Sequence, residues 1–432
     1  MREVVPVGPM WKLANTIRLI RQPYAATEMW RQQYGDTYRA RAMAGEVVVT
    51  GDPALAKQIF GADPSIFEPY GSHAFEPLTG RRSLFMLSGD EHKRKRKILM
   101  APFHGPRMRA YGESIQEVAA RRAATWSEGQ EISVIEEATA VSAEVIVRAV
   151  FGVQSEERID AYLELIAVWV DAWKPAYILI PILQQSWIPA WKRFLDASET
   201  MTSMLLEDIT ARRESGERGE DILSLLLEST YEDGTTLNDQ SILDQLRSLL
   251  FAGHETTMIG VSWAMNWIHR TPRIVEPTLE AADRGLEAWA RDPWLTALVQ
   301  ESLRMRPVIL MIFRTLNQAW TLGPYELDAG TNVSVSIGMM HTRADLYPDP
   351  LEFRPERFIE RKFKPWEYCP FGGGHRRCIG AALAMFEAQV VVAEWMRTTR
   401  FETAGGDPAK IVRRNLSIAP GDGVPLRIVG RR

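Results

Sequence analysis

Cysteine is nearly absent from this chain, with two residues in 432. That excludes a four-cysteine zinc site, and a disulfide between Cys369 and Cys378 would be unusual in a chain otherwise free of cysteine. Long apolar runs are missing as well. The stretch from Met1 to Tyr24 carries charges and prolines throughout, with neither a signal-peptide core nor ~20 apolar residues in a row. The expectation is a soluble, cytoplasmic protein without a membrane span. Strong net charge is lacking too: a balance of −4 gives no general attraction to nucleic acid, so partners must be sought in local patches. Length alone would suggest about three domains. No Gly/Ser tract, low-complexity segment or repeat supplies a linker, however, and the hydrophobic fraction of 46% suits a large core. One large mixed domain over residues 1–432 is predicted.

Against this background one decapeptide stands out, Phe371-Gly-Gly-Gly-His-Arg-Arg-Cys378-Ile-Gly380. It offers a single thiol from a glycine-rich turn that can approach a flat cofactor without side-chain obstruction. Arg376, two positions earlier, is a fixed cation placed to meet a haem propionate and to favour a thiolate. The combination points to a haem ligand. Cys369 reads instead as a small buried residue.

A second constellation lies mid-chain. Asn238 is a plausible N-cap, Asp239 sits in the first turn, and Ile242, Leu243, Leu246, Leu249 and Leu250 recur at helical spacing toward Thr271, where Pro272 stops the pattern. The helix so predicted approaches ~50 Å. It contains Ala252-Gly-His-Glu-Thr-Thr257. A glycine inside a helix costs about 1 kcal/mol relative to alanine, which is a defect unless something approaches the backbone there. Glu255 and Thr256 put an acid beside a hydroxyl, the parts of a proton relay. His254 reads as structural or solvent-facing.

Both segments resemble the cytochrome P-450 superfamily. The cysteine loop is similar to its F-x-x-G-x-R-x-C-x-G element, and Ala252 to Thr257 to its A/G-G-x-D/E-T-T/S oxygen-activating motif. Glu301-Ser-Leu-Arg304 and Pro355-Glu-Arg357-Phe resemble the family's E-x-x-R and P-E-R-F elements, which implies a buried charged triad of Glu301, Arg304 and Arg357. His92 and Arg96 resemble its H-x-x-x-R propionate clamp, and Arg314 with Arg376 completes the implied set. Lys93, Arg94 and Lys97 would face outward and, with Arg377, border the electron-entry face. Asp328-Ala-Gly-Thr331 and His341-Thr-Arg-Ala-Asp345 depart mildly from the family's Pro-Ala-Gly-Thr and H-R-D-P turns.

The resemblance implies a mainly α fold with a minor β region, a triangular prism crossed by a long oxygen-binding helix. The coarse pattern agrees: helical periodicity before residue 310, then short alternating runs such as 331–337. It implies haem b as cofactor with Cys378 on iron and Phe371 in the loop, and insertion of one oxygen atom of O2 into a hydrophobic substrate. No G-x-G-x-x-G follows a strand and no flavin or iron–sulfur spacing occurs, so electrons would come from a separate ferredoxin or flavodoxin with its reductase. The pocket-lining segments implied are apolar: Val308 to Phe313, Leu249, Ala252, Phe85, Met86 and Leu416 to Ala419. Residues 102–112 and 371–384 are most similar to a branch associated with fatty acids and terpenoids. Trp169, Trp173, Trp187 and Trp191 read as helix packing, with a lipophilic entrance as the other reading. A haem-thiolate isomerase or peroxygenase would share the loop without needing Glu255 and Thr256. A haem sensor would carry a second output domain.

Overall fold

The computed structural model describes residues 5–8, 11–42, 45–103, 107–173, 177, 181–217, 219–405, 410–414 and 416–432. Its longest helix is Asp239–Arg270, of 32 residues, or ~48 Å. Asn238 caps it by accepting from the Ser241 amide at 2.8 Å. His269 and Arg270 lie in its last turn, where cations suit the helix dipole, and Pro272 follows. Because the helix is buried on nearly every side, its apolar residues are not confined to one stripe.

Helices Val134–Val145, Pro293–Met305 and Ala381–Thr398 pack directly on it, and Arg107–Ala124 packs on Ala381–Thr398. Helices Glu156–Ala172 and Pro189–Ser215 pack on each other. The side chains of Trp263, Trp289 and Trp395 are fully buried in the core that these helices share.

The β region is small. Its largest sheet has the order Thr37–Ala42, Gly45–Thr50, Asn332–Ser336, Met311–Leu316, Phe67–Glu68, with one parallel pair, Gly45–Thr50 on Asn332–Ser336. The run at 331–337 is a strand, but its burial does not alternate: Val333, Ser334, Val335 and Ser336 are all buried. As the middle strand it is covered on both faces, which sequence alternation of valine and serine does not report. A hairpin of Ile411–Arg414 and Ser417–Pro420 runs back toward the central helix, where Trp263 Nε1 donates to the Ile418 carbonyl at 3.0 Å. Mainly helical architecture with minor sheets is therefore what the chain adopts.

Candidate functional site

The cysteine loop is closed by its own backbone: the Cys378 amide donates to the Phe371 carbonyl at 2.9 Å. Gly372 and Gly374 take φ of +71° and +66°, a region that side chains disfavour. A Cβ on Gly374 would lie 2.2 Å from the Phe60 carbonyl oxygen, and one on Gly373 2.4 Å from the Phe60 ring. Part of the need for glycine is thus the helix Pro53–Gly61, which the loop packs against, and not approach to a cofactor alone. Cys378 keeps solvent access although protein atoms crowd around it. Burial raises its pKa, while the Gly380 amide, Arg377 and Arg96 pull it back. Iron ligation deprotonates a coordinating thiol outright.

Around this loop the fold gathers cations. Helix Gly89–Met100 turns His92 and Lys95 inward, leaves Arg96 half-buried and exposes Lys93, Arg94 and Lys97. The His92 ring meets His375 edge-on at 5.7 Å. Burial, with Arg376 beside them, lowers His92 to about 3 and His375 to about 4, so both imidazoles are neutral near pH 7. Arg314 and Arg376 are each lowered to about 10, first by burial and then by a neighbouring guanidinium. Arg376 spends one nitrogen on the Leu87 carbonyl, Arg96 one on the Arg377 carbonyl and Arg314 one on the Phe313 carbonyl. Arg376 Nε is buried with no partner. Among the described residues no carboxylate pairs with Arg96, Arg314 or Arg376. Buried cations need anions. A thiol beside three such guanidiniums fits a cofactor with one metal and two carboxylates, which is the donor set haem requires.

His375 carries no motif signal of its own, although it sits between two motif positions of the loop. Phe371 is half-buried and packs against the main core.

The central helix contributes a different set. Thr256 Oγ1 donates to the Ala252 carbonyl at 2.6 Å. Glu255 is buried, accepts from Ser417 Oγ at 3.5 Å and lies 3.7 Å from Arg414 Nε. Ser417 and Arg414 both come from the C-terminal hairpin; Arg414 carries no motif signal, while Ser417 is a polar member of the 416–419 segment expected to be apolar. Gly253 has its open side toward Ile146, whose Cδ1 would lie 3.3 Å from a Cβ at that position, so close helix packing is one reason for that glycine. His254 is not solvent-facing. It is buried, its Nδ1 lacks a partner among the described residues, and burial with Arg414 nearby lowers it to about 4.

His254 joins two recesses. A small one is lined by Leu78, Trp169, Trp173, Phe251 and Glu255. A larger one, about 820 Å³, opens between helices Arg107–Ala124, Val134–Val145 and Glu156–Ala172 and the hairpin residues Arg413 and Arg414. No residue of the cysteine loop lines the larger recess. Trp173 and Trp191 are core residues in ring contact with each other, Trp169 meets the same Phe194 ring that both of them touch, and Trp187 is exposed. Residues 174–176 and 178–180 of that segment, and 104–106 of the 102–112 stretch, lie outside the described residues.

Glu301, Arg304 and Arg357 do meet, with Arg304 Nε 2.6 Å and Arg357 Nε 3.0 Å from the Glu301 carboxylate. Cys369 is buried in a separate cluster, its thiol pushed up to about 12, and its amide donates to His341 Nε2 at 3.1 Å. The outward basic run is not an uncompensated patch. Lys93 pairs with Asp90, Arg94 with Asp233 and Lys97 with Glu232. Those carboxylates come partly from the 231–235 turn, far away in sequence. Among the described residues, only Arg377 of the expected set is exposed without a salt bridge.

The loop thiol, the uncompensated guanidiniums and the helical fold together define the haem-thiolate class. Residues 5–423 match the family Cytochrome P450, and the chain belongs to it. It is 30% identical to Mycobacterium tuberculosis cytochrome P450 135B1, over 99% of this chain and 92% of that one. It is 33% identical to Mycobacterium bovis cytochrome P450 138, over 93% and 90%. A solved structure, retinoic acid bound cyanobacterial CYP120A1, superposes with a TM-score of 0.87 at 21% identity, covering 99% of this chain and 100% of that one. Family members are haem b monooxygenases with a cysteine thiolate on iron, so this chain is an oxidoreductase of that kind.

Proposed function

We propose that the chain hydroxylates or epoxidises a hydrophobic small molecule, with a fatty acid or terpenoid as the favoured substrate class. In this reading Cys378 is the iron ligand, and Arg96, Arg314 and Arg376 neutralise the two propionates with His92 alongside. Haem so ligated supplies reductive activation of O2. The chain supplies the rest. Thr256 Oγ1 holds a proton next to Glu255, and the contacts from Glu255 to Ser417 and Arg414 link that carboxylate toward the larger recess. Phe251, Trp169 and Trp173 set apolar walls beside His254 and Glu255, and the inner recess, at about 10 Å³, is too small to admit bulk water.

Electrons come from a ferredoxin or flavodoxin with its reductase, and the protein works in the cytoplasm as a single domain over 1–432. The observation that carries the proposal is the set of guanidiniums beside Cys378 with no carboxylate partner among the described residues. The test is a titration of the haem-loaded protein with fatty acids, terpenes and steroids, following the Soret band. Shifts with fatty acids or terpenes support the substrate class; shifts with steroids alone would remove it.

A further inference from the structure

The helix Lys12–Arg21 turns an apolar stripe outward. Its inner side is held by Asn15, buried and donating from Nδ2 to the Arg41 carbonyl at 2.9 Å, and by Leu19, which packs near Trp30 and Tyr38. Leu13, Ile17 and Ile20, at i, i+4 and i+7, share one face and are 66%, 42% and 42% exposed. Trp11, just ahead of the helix, is 82% exposed. Single exposed apolar residues need no explanation, but a tryptophan followed by a three-residue stripe does.

The same segment is wholly cationic. Lys12, Arg18 and Arg21 lie between Trp11 and Gln22 with no acidic residue, in a chain whose net charge is −4. None of the three is paired with a carboxylate among the described residues. The helix packs on strand Ile411–Arg414, where Val412 is also exposed and where Arg413 and Arg414 line the recess of about 820 Å³.

We infer that this face docks peripherally on an anionic lipid surface, with the helix lying in the interface plane. An exposed helix with an apolar stripe flanked by basic residues matches a flat sheet of anionic headgroups over an acyl layer. A second copy of the chain fits less well, since a two-fold contact through this face would set its arginines against their own copies. The docking does not rest on the monooxygenase reading.

The test uses the full haem-loaded chain and co-sedimentation with two sets of vesicles, phosphatidylcholine alone and phosphatidylcholine with about one third phosphatidylglycerol. Binding to the anionic vesicles should exceed binding to the neutral ones by about tenfold and should weaken as salt is raised. Ile17→Ser/Ile20→Ser and Arg18→Gln/Arg21→Gln should each weaken it by about tenfold, with helicity and haem content unchanged because all four side chains are exposed. Failure to bind either vesicle would overturn the inference, as would binding that survives both double substitutions. A lipid-independent dimer abolished by Ile17→Ser/Ile20→Ser, with no vesicle binding, would assign the face to a second copy and equally overturn it.

Discussion

Replacing Glu301 by glutamine removes one negative charge from a site that holds two guanidiniums and changes almost no volume. The three side chains are 0%, 0% and 4% exposed for Glu301, Arg304 and Arg357. Glu301 takes Arg304 through both oxygens, at 2.6 and 2.8 Å, and Oε1 also accepts from Arg357 Nε at 3.0 Å and the Arg354 amide at 2.9 Å. In Glu301→Gln two buried cations face each other with a neutral amide between them, and the amide turns its own N–H bonds toward one of them. Leaving buried charge uncompensated costs about 3–5 kcal/mol. Arg357→Met is the informative contrast. It leaves one cation on one anion, a neutral pair, so it should cost less even though it removes a larger side chain and frees the carbonyls of Pro348 and Asp349, while Glu352 keeps its bond from Arg304. Lys192→Gln serves as the baseline, since its pair with Asp196 is about 60% exposed on both sides and should contribute no more than about 1 kcal/mol. Urea unfolding followed by tryptophan fluorescence, with haem content measured in parallel, gives the three values. Charge compensation is not what Glu301 provides if Glu301→Gln costs under about 1 kcal/mol, or if Arg357→Met costs more than Glu301→Gln.

Three other outcomes are expected. Reduced protein under CO should show the strongly red-shifted band of a thiolate complex; Cys378→Ala should lose it and Cys369→Ala should keep it, and the reverse result would move the ligand. Thr256→Ala should retain haem and substrate binding yet divert reducing equivalents into peroxide and water, so unchanged coupling of cofactor oxidation to product would remove Thr256 from the proton relay. Stability should peak near pH 6.5. Burial lowers His254 and His269 to about 4 and His341 to about 3, so the unfolded chain binds more protons below pH 6.5 and stability falls as acid is added through that window. Burial pushes Glu387 up to about 8, so the folded chain holds a proton that the unfolded chain lacks, and stability falls as pH rises toward 8. Urea midpoints between pH 5 and 8.5 test both limbs; Glu387→Gln should flatten the alkaline one, and a flat profile for the parent would refute the assignment.

What the sequence determined by itself were the features written in local covalent pattern. The capped central helix from Asn238 to Pro272 and the cysteine loop follow from spacing, capping and glycine chemistry over short stretches, whereas the place of His92 came only from its resemblance to the family's propionate clamp. Tertiary structure decided whatever depends on which distant segment arrives. It set Phe60 against Gly373 and Gly374, and Ile146 against Gly253, giving those glycines a packing role. It buried His254, whose motif slot specifies no residue type, and brought Arg414 and Ser417 to Glu255 from a hairpin more than 150 residues away. It also neutralised Arg94 and Lys97 with Asp233 and Glu232, which no local charge count reveals because Coulomb pairing follows distance in space. Conversely, it left Arg96, Arg314 and Arg376 without carboxylates among the described residues, turning three scattered arginines into one site that demands an anionic cofactor.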